Sequence, residues 1–140
     1  MEKIIYGLEQ IDDIVDMLYK KMNDYTVFTF SGTLGAGKTT LVRALLRRCG
    51  IQGVITSPTF TYVNLYENAQ GQTFYHFDAY RLKNIEDFRA AGFDEYLYKP
   101  QSWVFIEWPE AVKPLLTHAV CYIALDYSDD KRIMTIETKA

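Results

Sequence analysis

Cysteine is scarce in this chain. Cys49 and Cys121 are the only two among 140 residues, and neither has a second cysteine or a histidine at metal-ligand spacing. That excludes a disulfide framework and a zinc site from the reading, and both thiols are expected to be buried core groups. Positive charge is not in excess either, since 15 Lys and Arg face 18 Asp and Glu for a formal net charge of -3. The chain therefore lacks the cationic field of a free-standing nucleic-acid binder, and any contact with nucleic acid is expected to be local or assisted by a partner. No apolar window approaches the length of a membrane span. The opening residues MEKIIYGLEQ carry an apolar stretch too short for a secretory signal and followed by acidic residues, so a cytoplasmic protein is expected. Repeats, linkers and low-complexity segments are missing as well. What is present is 49% apolar and 24% charged residues, the balance of one compact domain over 1–140 with a single core.

Periodicity then orders the elements. KIIY at 3–6 reads as a short strand, and 9–23 places Ile11, Ile14, Val15, Leu18, Tyr19 and Met22 at helical spacing. TVFTF at 26–30 is β-branched and aromatic. A glycine-rich segment follows it directly, and the apolar run Leu41, Val42, Leu45, Leu46 has helical period up to Gly50. VITSPTF reads as a loop. TYVNLYE at 61–67 and TFYHFDAY at 73–80 alternate, and NAQGQ between them makes a hairpin. A short helix is expected over 84–91 with Asn84 as its cap, then a buried strand SWVFIEW at 102–108, then a brief helix in EAVKPLL interrupted by Pro114. AVCYIALDY and RIMTIET form a second hairpin around SDDK. Together these imply an α/β fold of the P-loop NTPase kind: a mixed sheet with parallel core strands, antiparallel hairpins at its edges and flanking helices.

The glycine segment carries the chemistry. Gly32, Thr33, Leu34, Gly35, Ala36, Gly37, Lys38 and Thr39 satisfy G-x-x-x-x-G-K-[ST], with Thr40 next, and the motif sits between the strand and the helix that it requires. Glycines let main-chain N–H groups turn inward around phosphate oxygens, Lys38 supplies a cation to the β- and γ-phosphates, and the Thr39 hydroxyl suits Mg²⁺. The helix start near Lys38 adds its positive dipole end. An ordinary glycine turn would not demand Lys and Thr at these two places.

Asp78 and Glu107 each close an apolar strand, where ligands of open α/β sheets bind if the strands run parallel. Alternation places His76 on the same face as Asp78, so its imidazole is expected to serve that carboxylate. Taken singly, either acid also suits a solvated strand end. Ser57 and Thr59 flank Pro58 in a hydroxyl-rich loop, the position at which switch loops sense a γ-phosphate, although a Ser/Thr turn around a proline reads the same. Trp108 either packs over a nucleotide or a partner or fills the core. Arg81 is a candidate charge stabiliser. Arg43, Arg47 and Arg48 form a basic patch that reads first as a solvated helix face.

With LGAGKTT (34–40), SPTF (57–60), HFDAYRL (76–82) and IEWPE (106–110) in this order, the chain resembles, over nearly its whole length, the TsaE (YjeE) family of ATPases required for threonylcarbamoyladenosine in bacterial tRNA. The resemblance implies that Thr39 and Glu107 hold Mg²⁺, Asp78 supports hydrolysis, and Ser57 with Thr59 form the nucleotide-sensing loop beside Trp108. It also implies action with the TsaD and TsaB proteins, with tRNA met through that complex and ATP hydrolysis resetting it between cycles. Where family members often carry a threonine in the first helix near the nucleotide, this chain has Ile11. Lys131 and Arg132 are candidate contacts to base or ribose. ATP is favoured over GTP because no N-K-x-D segment exists to read guanine. A small-metabolite kinase would need an arginine-rich lid that the sequence does not offer, and a nucleotide-gated assembly switch with negligible turnover stays open beside the ATPase.

Overall fold

The computed structural model describes residues 1–33, 35–58 and 62–140; Leu34, Thr59, Phe60 and Thr61, and the expectations placed on them, lie outside that set. Seven strands form one sheet: β1 (Glu2–Tyr6), β2 (Val27–Gly32), β3 (Val63–Glu67), β4 (Thr73–Asp78), β5 (Ser102–Glu107), β6 (Val120–Ser128) and β7 (Lys131–Lys139). Their order is β1-β7-β6-β2-β5-β4-β3. β2 runs parallel to both β5 and β6, and β4 runs parallel to β5. The pairs β3/β4, β6/β7 and β1/β7 are antiparallel. The mixed sheet with a parallel centre and hairpin edges is thus the one expected.

Among the described residues three α-helices flank it: α1 (Ile11–Lys21), α2 (Lys38–Arg48) and α3 (Ile85–Ala90). The helix expected over 9–23 is shorter, because Leu8–Gln10 forms a separate 3₁₀ turn closed by the Gln10 side chain, which accepts the Gly7 N–H at 2.9 Å. Asp12 and Asp13 in its first turn and Lys20 and Lys21 in its last suit the helix dipole. α2 stops where glycine permits it. Gly50 takes φ +91°, its N–H reaches the Arg47 carbonyl, and the Ile51 N–H reaches that of Leu46, while both apolar side chains are buried. Asn84 caps α3 as expected by accepting the Asp87 N–H at 3.0 Å. EAVKPLL is two short 3₁₀ turns, Pro109–Ala111 and Lys113–Leu115. The last hairpin turns on Asp129 and Asp130, with Asp129 at φ +55°, so Lys131 and Arg132 begin β7 rather than sit in the turn.

The central strands are buried on both faces, which is why VFTF and VFIE are nearly unbroken apolar runs. On the α1/α2 side Phe28, Phe30, Phe74 and Phe105 meet Leu18, Leu41 and Leu45. On the other side Val27, Phe77, Val104 and Ile106 meet Phe88, Val112 and Leu116. Cys49 and Cys121 are both buried free thiols, and burial pushes them up to about 12 and about 11. Among the described residues no helix is long and apolar enough to cross a membrane. Phe105 sits at the centre of the first core, edge-on to Phe28 at 5.8 Å and stacked with Phe74 at 6.2 Å. Phe105→Ala is expected to lower stability by about 3–5 kcal/mol, read from urea unfolding midpoints at unchanged m. A loss of under about 1 kcal/mol would contradict its place in the core.

Candidate functional site

Three parallel strands deliver their carboxyl ends to one edge. The β4/β5 register sets Asp78 opposite Glu107, and the β2/β5 register sets Phe30 opposite Glu107, just before the glycine loop begins at Gly32. Gly32 has φ +126°, and a Cβ there would lie 1.8 Å from the Leu125 carbonyl oxygen of β6, so only glycine lets the loop leave the sheet at that point. Gly37 takes φ +98° immediately before α2.

Lys38 folds back over this loop. Its Nζ donates to the carbonyls of Gly32 at 2.9 Å and Thr33 at 3.0 Å and stands 4.0 Å from the centre of the Trp108 ring. The side chain is 5% exposed. Burial holds its ammonium below the usual lysine range, and the negative charges of Glu107, Glu110 and Asp78 oppose that shift. Thr39, one residue on, donates its hydroxyl to Glu107 Oε1 at 2.7 Å. Trp108 takes a left-handed φ of +57° and its N–H donates to the Phe30 carbonyl at 3.1 Å. A bulky residue in that region is strained by about 1–3 kcal/mol. The Trp108 ring lies against the Lys38 ammonium with Tyr80 edge-on at 4.9 Å, and it is not among the buried core residues.

One expectation is corrected. His76 serves not Asp78 but Glu107: its Nε2 lies 2.6 Å from Glu107 Oε2, and both side chains are buried. Residues two apart on a strand stand side by side roughly 7 Å apart, whereas the longer glutamate spans the diagonal between neighbouring strands. Asp78 instead accepts the Tyr80 N–H at 3.0 Å. Burial raises the Asp78 pKa, the Tyr80 N–H lowers it, Glu107 raises it again, and His76 and Arg81 lower it.

Gly35, Gly37, Lys38, Thr39, Thr40, Asp78, Glu107 and Trp108 line a single cavity of about 310 Å³. Ser57 is not in that lining, and Leu34 and Thr59 lie outside the described residues. Thr33 is tied to the last hairpin, its hydroxyl donating to Asp126 at 3.2 Å. Ala36 is buried, and its N–H closes on the Thr33 carbonyl at 3.1 Å. Arg132 also approaches the loop, its Nε 3.8 Å from where a Cβ on Gly37 would be. Asp126 and the His76–Glu107 pairing escaped the sequence reading. Asp126 belongs to no motif, and alternation names a face but not the neighbour reached across it. Two of the three arginines of α2 are engaged elsewhere: Arg47 donates to the Ile51 carbonyl, and Arg48 pairs with Asp16 at 2.8 Å. A wider groove of about 570 Å³ runs along α1, lined by Asp13, Asp16, Met17, Lys20 and Lys21 of the helix and by Asp24 just beyond it.

The donor pair expected to meet a cation is one hydroxyl, of Thr39, and one carboxylate, of Glu107, in a cavity that Thr40 and Asp78 also line. Among the described residues no three His, Cys, Asp or Glu gather as a metal cage. A cation met by these two oxygens would complete its shell from water and a bound phosphate, which is how Mg²⁺ is held beside nucleotides. The residues fit that ion.

The family model described as "Threonylcarbamoyl adenosine biosynthesis protein TsaE" matches residues 6–134. A tRNA threonylcarbamoyladenosine biosynthesis protein TsaE from Haemophilus influenzae is 39% identical over 118 residues, 84% of this chain and 73% of that one. The protein of that name from Rickettsia felis is 33% identical over 139 residues, 98% and 80% of the two chains. The crystal structure of Bacillus subtilis YdiB superposes with a TM-score of 0.72 at 23% identity, over 99% of this chain and 87% of that one, a likeness of fold.

Proposed function

This chain belongs to the TsaE family of threonylcarbamoyl adenosine biosynthesis proteins, and from that premise we propose that it binds ATP with Mg²⁺ in the cavity at Lys38 and hydrolyses it in the making of threonylcarbamoyladenosine in tRNA. Its partners in this reading are the TsaD and TsaB proteins, and it meets tRNA through them. The observation that carries the reading is the convergence of Lys38, Thr39, Asp78 and Glu107 on one cavity beside the glycine loop.

Each group has a task in this reading. Main-chain N–H groups of 33–39 receive phosphate oxygens, and Lys38 exchanges its two loop carbonyls for the β- and γ-phosphates. Thr39 and Glu107 would hold Mg²⁺, which when bound neutralises charge on the phosphates. Asp78 lines the cavity with one carboxylate oxygen committed to the Tyr80 N–H, which would leave the other to accept from an attacking water. Trp108 walls the cavity beside the phosphates. Ser57 and Thr59 supply the loop that senses the γ-phosphate, and Arg132, close to Gly37, reaches base or ribose, with Lys131 beside it. The cytosol is the compartment that suits this work.

Among the described residues no second cation beyond Lys38 lines the cavity, so slow turnover is expected of the chain alone and faster turnover in company, as with stimulated GTPases. ATP hydrolysis measured with and without purified TsaB and TsaD is expected to rise about tenfold or more on adding the partners. Equal rates would count against partner stimulation. Stoichiometric phosphorylation of a metabolite in a panel would replace the ATPase reading with that of a kinase.

A further inference from the structure

We infer that His76 is a positioning residue that fixes the rotamer of Glu107, and through it of Thr39, so that both oxygens face the cation side of the cavity. The inference rests on the proposed function and extends it to a residue outside the cavity lining.

Three observations carry it. The first is continuity: His76 Nε2 meets Glu107 Oε2 at 2.6 Å, and Glu107 Oε1 accepts the Thr39 hydroxyl at 2.7 Å, so one chain of hydrogen bonds runs from the middle of β4 to the start of α2. A carboxylate only accepts, so Nε2 carries the hydrogen. The second is burial, since His76 is 1% exposed and Glu107 3% exposed. A carboxylate so placed needs a donor on the side away from its ligand, or it turns toward whatever donor it can find. The third is an imperfection. His76 Nδ1 is a buried nitrogen without a hydrogen-bond partner, and no other such side-chain atom occurs among the described residues. A methionine would fill this place, opposite Phe105 on the next strand and two residues on from Phe74, without leaving a polar atom stranded. What histidine adds is one directed N–H aimed at Glu107.

The arrangement matches a recurrent one in which an outer group orients a metal-binding carboxylate, whose loss costs about 10- to 100-fold in metal affinity or activity. His76→Met, His76→Gln and His76→Asn test it. Glutamine carries an amide N–H near the position of Nε2, whereas asparagine places its amide near Nδ1. Titration calorimetry with ADP, in EDTA and at rising Mg²⁺, gives a readout apart from turnover. For His76→Met the affinity in EDTA is expected to stay within about threefold of wild type. The Mg²⁺ concentration for half-maximal tightening of ADP should rise about 10- to 100-fold. His76→Gln should return to within about threefold of wild type and His76→Asn should not. If His76→Met fails to fold, the glutamine and asparagine pair carries the comparison.

A wild-type Mg²⁺ response in His76→Met, or equal losses in the glutamine and asparagine variants, would overturn the inference alone. A wild-type protein whose ADP affinity is indifferent to Mg²⁺ would overturn it together with the proposed function.

Discussion

Lys38→Ala is expected to weaken ADP and ATP binding by roughly 30- to 150-fold, about 2–3 kcal/mol. Charge-assisted hydrogen bonds from an ammonium to phosphate oxygens stabilise by about 1.5–3 kcal/mol each, and two such bonds set an upper bound near twice that. The free protein reduces the net effect, because Lys38 already donates to Gly32 and Thr33 and faces the Trp108 ring. Binding therefore exchanges neutral acceptors for charged ones rather than creating bonds from nothing. The same free-state contacts mean that the alanine variant also leaves two loop carbonyls without their donor. Lys38→Met separates the effects of charge and stem, since it keeps the aliphatic length and lacks the ammonium. Calorimetry with ADP in EDTA checks both variants, with circular dichroism confirming that they are folded. Dissociation constants within threefold of wild type would remove Lys38 from the phosphate site and with it the basis of the proposed function.

How far the sequence shows these things depends on how local each one is. Lys38 and Thr39 are legible because the glycine loop, the strand before it and the helix after it are contiguous, and Gly50 marks the helix end by its own conformational freedom. Asp78 and Glu107 are legible as acids that close apolar runs, but their meeting depends on β4 and β5 running parallel in a register that pairs them, which no local signal contains. β2 lies between β5 and β6, and this order is likewise set by packing of both sheet faces rather than by the segment itself. Alternation gives the face on which His76 stands. It cannot say that a glutamate on the next strand outreaches the nearer aspartate. The hairpin of β6 and β7 is evident from its pattern, while the approach of Asp126 and Arg132 to the loop comes from the twist and position of the whole sheet.

The left-handed Trp108 links two of these levels. Its backbone, strained by about 1–3 kcal/mol, is held by the Phe30 carbonyl and by Pro109 beginning the next turn, and this swings the indole under Lys38 instead of continuing β5. The ring and the two loop carbonyls together hold the ammonium, and in the proposed function a phosphate would take the place of the carbonyls.

Glu107→Gln isolates charge from shape at the other side of the cavity. A glutamine carbonyl can accept from His76 Nε2 as Oε2 does now, and its amide can donate to the Thr39 hydroxyl, so the buried chain of hydrogen bonds survives with its direction reversed at one link. Folding should consequently change little, and ADP affinity in EDTA should stay within about threefold of wild type or tighten, since one negative charge near the phosphates is gone. Turnover of ATP, which in the proposed function would need that charge, should fall about 10²- to 10³-fold, and the dependence of ADP affinity on Mg²⁺ should flatten. Glu107→Ala would lose the network as well as the charge, so a larger loss of thermal stability in alanine than in glutamine is the companion result. Wild-type turnover and an unchanged Mg²⁺ response in Glu107→Gln would leave the carboxylate with a packing role only and would transfer the burden of hydrolysis to Asp78.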